Sequence, residues 1–354
     1  MIQLTKPEIG KEEIEAVTEV LRSGMLAQGE VVEEFEREFA AYIGTDYAIA
    51  TNSGTSALHT ALASVGIKEG DEVITTAFSF FATASCVLMQ NATPVFVDID
   101  PKTYNIDPFR IEANLSERTK AIIPAHLYGQ PCEMSEIIDI AKEHNLIVIE
   151  DAAQAHGAEY KAIRAGSIGD IGVFSFYATK NIITGEGGMI TTNNEAIAER
   201  ARMIRNHGQT KRYFHECLGY NYRMTNIAAA IGLVQLQKID MLNLKRMSNA
   251  RYYGEQLNLK KPYVSPNVKH VFHQYTIRVK DRDKFIAHLE RNGVGYGIYY
   301  PVPLSSQPLF NSQGVFDVAE LASKEVVSIP VNPSLKRADV EKVVKVVNSY
   351  EGRS

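Results

Sequence analysis

The amino-acid sequence predicts an α/β protein with seven strands in an open, mainly parallel sheet, followed by a smaller α+β unit. Three observations predict it. Short β-branched runs recur along the first half, amphipathic segments separate them, and the texture changes after Gly232.

The runs are YAIAT from Tyr47, DEVITT from Asp71, PVFVDI from Pro94, AIIPAHL from Ala121, LIVIE from Leu146, IGVFSF from Ile171 and GMITT from Gly188. Most are continuously apolar, as strands covered by helices on both faces must be. Between them KEEIEAVTEVLRS, EEFEREFAAYI, SALHTALASV, MSEIIDIAKEH and EAIAERARMIRN carry apolar residues at helical spacing. Beyond Gly232 come a long charged helical stretch, the strand-like HQYTIRV, a helix from Asp281 to Asn292 and a last helix from Arg337 to Tyr350. The expected division is a large unit over 1–235 and a small one over 236–354, in keeping with a length of 354 residues. The segment YYPVPLSSQPLF from Tyr299 reads as an ordered loop packed against something.

Composition excludes several classes. Hydrophobic residues make up 45% and charged residues 22%, the usage of an ordinary globular protein. The net charge of -5 and pI of about 6.0, without a run of Lys or Arg, exclude the footprint of a nucleic-acid binder. No apolar run approaches the roughly 20 residues that span a bilayer, and the amino-terminal segment lacks a signal-peptide pattern, so a cytoplasmic location is expected. Cys86, Cys132 and Cys217 are widely spaced, and His126 and His156 follow strands without a ligand partner at helical spacing. Structural roles are expected for all five, and no metal site.

Ligands of open α/β sheets sit at the carboxyl ends of the strands, and three ends carry unusual chemistry. The first is Asn52-Ser53-Gly54-Thr55-Ser56 before a helix, which reads either as a phosphate site on free amides and hydroxyls or as a plain N-cap. At the second, Glu150 and Asp151 close a buried strand; an acid there needs a cationic partner, such as a protonated ring nitrogen, or caps the next turn. At the third, Ser175 ends a strand and Lys180 follows in an apolar stretch before Gly185-Glu186-Gly187-Gly188. A lone loop lysine is usually solvated, but one held in apolar surroundings needs a reason. One cofactor unites the three ends, because pyridoxal 5'-phosphate requires a lysine amine, a carboxylate facing its ring nitrogen and a phosphate cup. An ordinary lysine, with a pKa of ~10.4, is too rarely neutral at pH 7 to react, and desolvation lowers that value.

SGTSAL, EDAAQAHGA, FSFYATKNIITGEGG, RNHG and GYNYRMTNIAAAIG occur in this order and spacing, and the chain resembles the DegT/StrS family of sugar aminotransferases from SGMLAQG near residue 24 to YYPVPL near residue 299. The resemblance implies an aspartate-aminotransferase-like fold (fold type I) and a homodimer with active sites at the subunit interface. It also implies amination of a keto group on a nucleotide-linked sugar, with an amino acid, glutamate, as donor, for polysaccharide or modified-sugar biosynthesis. Lys180 matches the lysine that carries the cofactor, Asp151 the partner of its ring nitrogen, and Gln154 a contact near the ring hydroxyl. Gly54, Thr55, Ser56 and Ser175 match the phosphate cup, Asn221 an asparagine that reaches the neighbouring subunit's phosphate, and Phe80 an aromatic ring against the pyridine.

Arg223 and Tyr300 are the substrate-side candidates. HQYTIRV and the pattern Arg212, Tyr213, His215, Leu218, Gly219, Asn221, Arg223 are similar to members that aminate C3, some of them on uronic acids; Arg223 reads either as the partner of such a carboxylate or as a plain surface or interface arginine. Leu304 to Gln307 departs from members that have a histidine near Ser305. One branch of the family has histidine where Lys180 stands and removes a hydroxyl; Lys180 argues against it. The competing readings are a lyase or dehydratase on the same fold, and a regulatory protein that keeps the fold without turnover.

Overall fold

The computed structural model describes residues 1–310 and 314–351. All seven apolar runs are strands of one sheet: β1 Tyr47–Thr51, β2 Glu72–Thr76, β3 Thr93–Val97, β4 Thr119–Ile123, β5 Ile147–Asp151, β6 Ile171–Ser175 and β7 Gly188–Thr192. Their spatial order is β1-β7-β6-β5-β4-β2-β3. Only β7 runs against the rest, pairing antiparallel with β1 on one side and β6 on the other. The other neighbouring pairs are parallel, with Ile149 opposite Ile171 and Ala121 opposite Ile147. The expected seven-stranded, mainly parallel sheet is therefore the observed one.

Helices cover both faces. They are α1 Lys11–Ser23, α2 Glu30–Ile43, α3 Gly54–Ser64, α4 Ala82–Leu88, α5 Met134–His144 and α6 Glu195–Arg205. One face packs Phe35 and Phe39 of α2 on Phe174 and Phe176, with ring centroids 5.0–5.9 Å apart. Another cluster joins Leu58 and Leu62 of α3 to Ile49, Val173 and Ile190 of the sheet. Each aromatic pair adds ~0.5–1.5 kcal/mol to what its buried area contributes.

The long charged stretch is a single helix, α7 Asn226–Gln256, started by the Thr225 hydroxyl accepting from the Ala228 N–H. It passes through positions 235 and 236 unbroken. By length and composition it could cross a membrane. Here Ala229, Leu236, Ile239 and Leu242 belong to the core shared with α2, and Ala250 and Tyr253 to a second core, which is the part of a core helix. That second core gathers Tyr275 and Ile277 of β8 Tyr275–Arg278, Phe285 and Leu289 of α8 Arg282–Arg291, Val327 and Ile329 of β9 Val326–Ile329, and Val340, Val343 and Val347 of α10 Arg337–Asn348. Ile2, from the other end of the chain, joins it. Two elements of this region were not read from the sequence: β9, which pairs antiparallel with β8, and α9 Asp317–Glu325, whose Ala319 and Ala322 pack in a separate cluster with Phe78 and Phe96.

Candidate active site

The three unusual strand ends converge. A cavity of about 570 Å³ is lined by Ser53, Gly54 and Thr55 after β1, Asp151 at the end of β5 and Gln154 beyond it, and Ser175 at the end of β6 and Lys180 beyond it, with Phe80, Tyr300 and His273 on its walls. That volume is in the range of small-molecule sites.

At β1, the N-cap reading of the Ser/Gly/Thr turn is observed directly, and the turn leaves amides free at the cavity. Ser53 caps α3, its Oγ accepting from the Ser56 N–H at 3.1 Å, while the Ser53 N–H donates to Ser56 Oγ at 3.1 Å. Ser56 also donates its hydroxyl proton to Asn52 Oδ1 at 2.7 Å and is buried within the turn, off the cavity lining. The cap leaves the Gly54 and Thr55 N–H groups at the cavity without a protein acceptor among the described residues. Gly54 must be glycine, because a Cβ there would stand 2.7 Å from Ser175 Cβ. Its absence lets β6 bring Ser175 against the helix start, forming a cup of amides and a hydroxyl.

At β5, the two acids part company, since alternate strand residues face opposite ways. Glu150 is fully buried and fully satisfied: it bonds His126 Nε2 at 2.9 Å and accepts from the N–H groups of Gly166, Ile168 and Gly169 at 2.9, 2.7 and 2.7 Å. His126 Nδ1 accepts from the Cys132 N–H, so the proton lies on Nε2 and points at Glu150. His126 is thus structural, as expected. Asp151 accepts only from the Thr83 hydroxyl at 2.8 Å and the Ala153 N–H at 3.2 Å, and it has no cationic partner among the described residues. Thr83 was missed in the sequence; it lies three positions after Phe80 on α4, where nothing marks it.

Lys180 stands on a tight loop. The Phe176 N–H donates to the Gly187 carbonyl and the Thr184 N–H to the Phe176 carbonyl, while the Lys180 N–H bonds the Tyr177 carbonyl at 2.8 Å. Its ammonium makes no hydrogen bond or ion pair among the described residues. Burial pushes its pKa down to about 8 against the Asp151 carboxylate, which raises it. A lysine so placed is roughly a tenth neutral at pH 7, against about 0.04% for an ordinary one.

Gln154 is oriented on both sides: Oε1 accepts from the Tyr128 N–H at 2.8 Å, and Nε2 donates to the Tyr300 hydroxyl at 3.1 Å. Burial holds the Tyr300 phenol protonated well above the usual range. Phe80 is 55% exposed, with its ring centroid 6.2 Å from that of Tyr300. Asn221 and Arg223 lie outside the cavity of the single chain. Asn221 is exposed and bridges Asn206, whose side-chain carbonyl also accepts from Arg223 Nη1 at 2.7 Å. Cys86 and Cys132 are buried and Cys217 exposed, all three as free thiols. Among the described residues the one cluster with metal-ligand geometry is Glu112, Glu143 and His144, on the surface.

Relatives carry the same frame. The pleiotropic regulatory protein of Geobacillus stearothermophilus is 44% identical over 98% of this chain and 95% of its own length. The dTDP-3-amino-3,6-dideoxy-alpha-D-galactopyranose transaminase of Aneurinibacillus thermoaerophilus is 42% identical, covering 96% and 95%. The crystal structure of DesV from S. venezuelae, in complex with a ketimine intermediate, superposes with a TM-score of 0.93 at 36% identity, covering 97% of this chain and 95% of that one. A sequence model of the DegT/DnrJ/EryC1/StrS aminotransferase family matches residues 7–348. Nearly the whole chain is thus accounted for, cavity included: the protein belongs to the DegT/DnrJ/EryC1/StrS family of pyridoxal-phosphate-dependent aminotransferases.

Proposed function

We propose that this aminotransferase moves an amino group from glutamate to a keto group, at C3, of a nucleotide-linked sugar. The observation that carries the reading is a lysine without a hydrogen bond or ion pair among the described residues and a carboxylate without a cationic partner among them, in one cavity with a cup of free amides. A buried carboxylate with only a hydroxyl and one amide for donors, and a half-buried ammonium with no hydrogen bond or ion pair among the described residues, are costly, and their retention fits a ligand that satisfies both. In this reading Gly54, Thr55, Ser56 and Ser175 hold the phosphate of pyridoxal 5'-phosphate, Ser56 by shaping the turn, and Asp151 holds its ring nitrogen protonated. Gln154 meets the ring hydroxyl, Phe80 lies against the ring, and Lys180 bonds to its aldehyde carbon. When bound, the cofactor stores the amino group between the two half-reactions and accepts the electrons of the bond broken at the donor's α-carbon.

The residues supply the rest. Lys180 would take the donor's α-proton on Nζ and return it to the cofactor's aldehyde carbon, two bonds away across the nitrogen, a task suited to a pKa near 8. Asp151 is held in place by Thr83 and Ala153. Tyr300 keeps its proton and orients Gln154. Arg223 pairs with a carboxylate or phosphate of the sugar nucleotide, and Tyr300 forms part of the sugar's wall.

C3 is favoured by the likeness of the 212–223 segment to C3-acting members, and by the relative whose name specifies a 3-amino sugar. The protein acts as a cytoplasmic homodimer. Exposed Tyr213, Phe214 and Leu218, with Tyr177 at the cavity, are apolar surface of the kind that interfaces cover, and Asn221 in the same stretch reaches the partner's phosphate cup. The division into a cofactor-binding unit, 1–235, and a smaller unit, 236–354, belongs to the same reading and is supported by the separate carboxyl-terminal core.

The deciding experiment incubates the purified protein with pyridoxal 5'-phosphate, glutamate and a panel of nucleotide-linked 3-keto and 4-keto sugars. Formation of a 3-amino sugar with stoichiometric 2-oxoglutarate is expected. Product release without an amino donor would establish a lyase or dehydratase instead, and no turnover on any keto sugar would favour a regulatory role. Borohydride reduction followed by peptide mapping is expected to place the cofactor on Lys180.

A further inference from the structure

Beside the Lys180 loop, three buried polar side chains form a chain of hydrogen bonds that ends at the cavity wall and whose direction can be deduced. Asn243 of α7 donates through Nδ2 to the His156 carbonyl at 2.8 Å. A carbonyl only accepts, so the Asn243 amide is fixed with Oδ1 facing the other way. That oxygen accepts from Asn181 Nδ2 at 2.8 Å, and the same Nδ2 lies 3.4 Å from the Val271 carbonyl, which fixes the second amide. Asn181 Oδ1 therefore accepts, and its partner at 3.1 Å, His273 Nδ1, carries a proton. Burial, reinforced by Lys180 and Arg246, holds the His273 ring far below its usual pKa. A neutral ring protonated at Nδ1 has an acceptor lone pair at Nε2, and His273 is on the cavity wall. All three side chains are nine-tenths buried or more.

The chain ties the residue after Lys180 to three separate parts of the fold. These are α7 through Asn243, the turn after β5 through the His156 carbonyl, and the 271–273 segment leading into β8. We propose that Asn243–Asn181–His273 is a positioning device for Lys180: it clamps the main chain next to the lysine through Asn181 and fixes the His273 tautomer, making Asn243, 63 positions away in sequence, a determinant of the lysine's reach (243 - 180 = 63). The proposal rests on Lys180 being the lysine that carries the cofactor. A clamp matters because a displacement of about 1 Å at a reacting group can cost about 10²-fold in rate.

Asn243→Ala and Asn181→Ser are compared with Asn249→Ala. Asn249 is on the same helix and bonds the carbonyls of Val331 and Asn332, away from the lysine loop. Three readouts are taken: visible circular dichroism per bound cofactor, the rate at which the cofactor-free chain takes up pyridoxal 5'-phosphate, and kcat against KM for glutamate. Asn243→Ala is expected to lose at least half of the visible dichroism, to slow uptake at least fivefold, and to lower kcat about 10- to 100-fold with KM within threefold. Asn249→Ala is expected to lower the melting temperature without moving the other three. Should Asn243→Ala fail to fold, Asn181→Ser decides, because it cuts the chain while keeping the Asn243–His156 bond. Unchanged dichroism, uptake and kcat in the folded variants, with only the melting temperature lowered, overturn the proposal. Borohydride mapping of the unaltered protein separates the two levels. A label on another lysine defeats the assignment of Lys180, whereas a label on Lys180 with insensitive variants defeats the clamp alone.

Discussion

Glu150 and Asp151 are consecutive carboxylates at the end of one strand, yet one faces a site the protein has filled and the other a site it has left open. Below the sheet, Glu150 is met by an imidazole and three backbone N–H groups. In the cavity, Asp151 has a hydroxyl and one amide, and the ammonium of Lys180 has no hydrogen bond or ion pair among the described residues. The difference separates two uses of buried charge. Saturation by the protein's own donors fixes loops and contributes stability, whereas incomplete saturation is tolerated where a ligand supplies the missing partner.

Four measurements break or sharpen that contrast, beginning with the largest expected effect. Asp151→Asn should reduce transamination about 10²–10³-fold, the scale for losing a preorganised charge at a reacting centre, while the melt of the cofactor-free chain holds or rises. Glu150→Gln should do the reverse. It weakens four bonds to a buried charge, so denaturant unfolding should show a loss of about 2–4 kcal/mol, with kcat per folded molecule within threefold. If the first variant lost only stability and the second only activity, the assignment of the two acids would be inverted.

The third concerns pH. Lys180 has a folded pKa of about 8, below its unfolded value of ~10.4, so the unfolded chain binds more protons between those limits. The resulting destabilisation is fully present below pH 8 and fades as pH rises towards 10.4. Lys180→Met should therefore raise the melting temperature of the cofactor-free chain at pH 7, by about 2–4 °C, and the gain should vanish near pH 10. A gain independent of pH would mean that packing, and not charge, limits the lysine loop. The smallest effect belongs to Phe80→Leu at the rim, where loss of a ring face should weaken cofactor binding about two- to tenfold in a fluorescence titration.

The sheet was legible because strands covered on both faces must be apolar throughout, and the seven runs had no polar alternation to confuse them. The site was legible where chemistry is concentrated at strand ends: Asp151 follows the run LIVIE directly, Ser175 closes a strand, and Lys180 comes in the loop just beyond it. The position of β7 was less visible, since reversal by one strand leaves no mark on a five-residue run. The pair α9 and β9 was missed because VAELASKE and VVSI are short and join without a turn residue. Periodicity along β5 indicates that Glu150 and Asp151 face apart, but not which of them meets the cavity; that depends on His126, 24 residues earlier. Thr83, Asn243 and His273 act through contacts between distant segments, and no local pattern singles them out.

The unbroken helix α7 has a mechanical consequence. At ~1.5 Å per residue its 31 residues form a strut about 46 Å long, embedded in the main core at one end and in the carboxyl-terminal core at the other. A flexible tether would let the two cores swing freely, whereas a strut allows relative motion only by bowing or sliding in its sockets. Closure over a bulky sugar nucleotide is then confined to small, stiff excursions, and inserting a glycine pair midway along the strut would soften them.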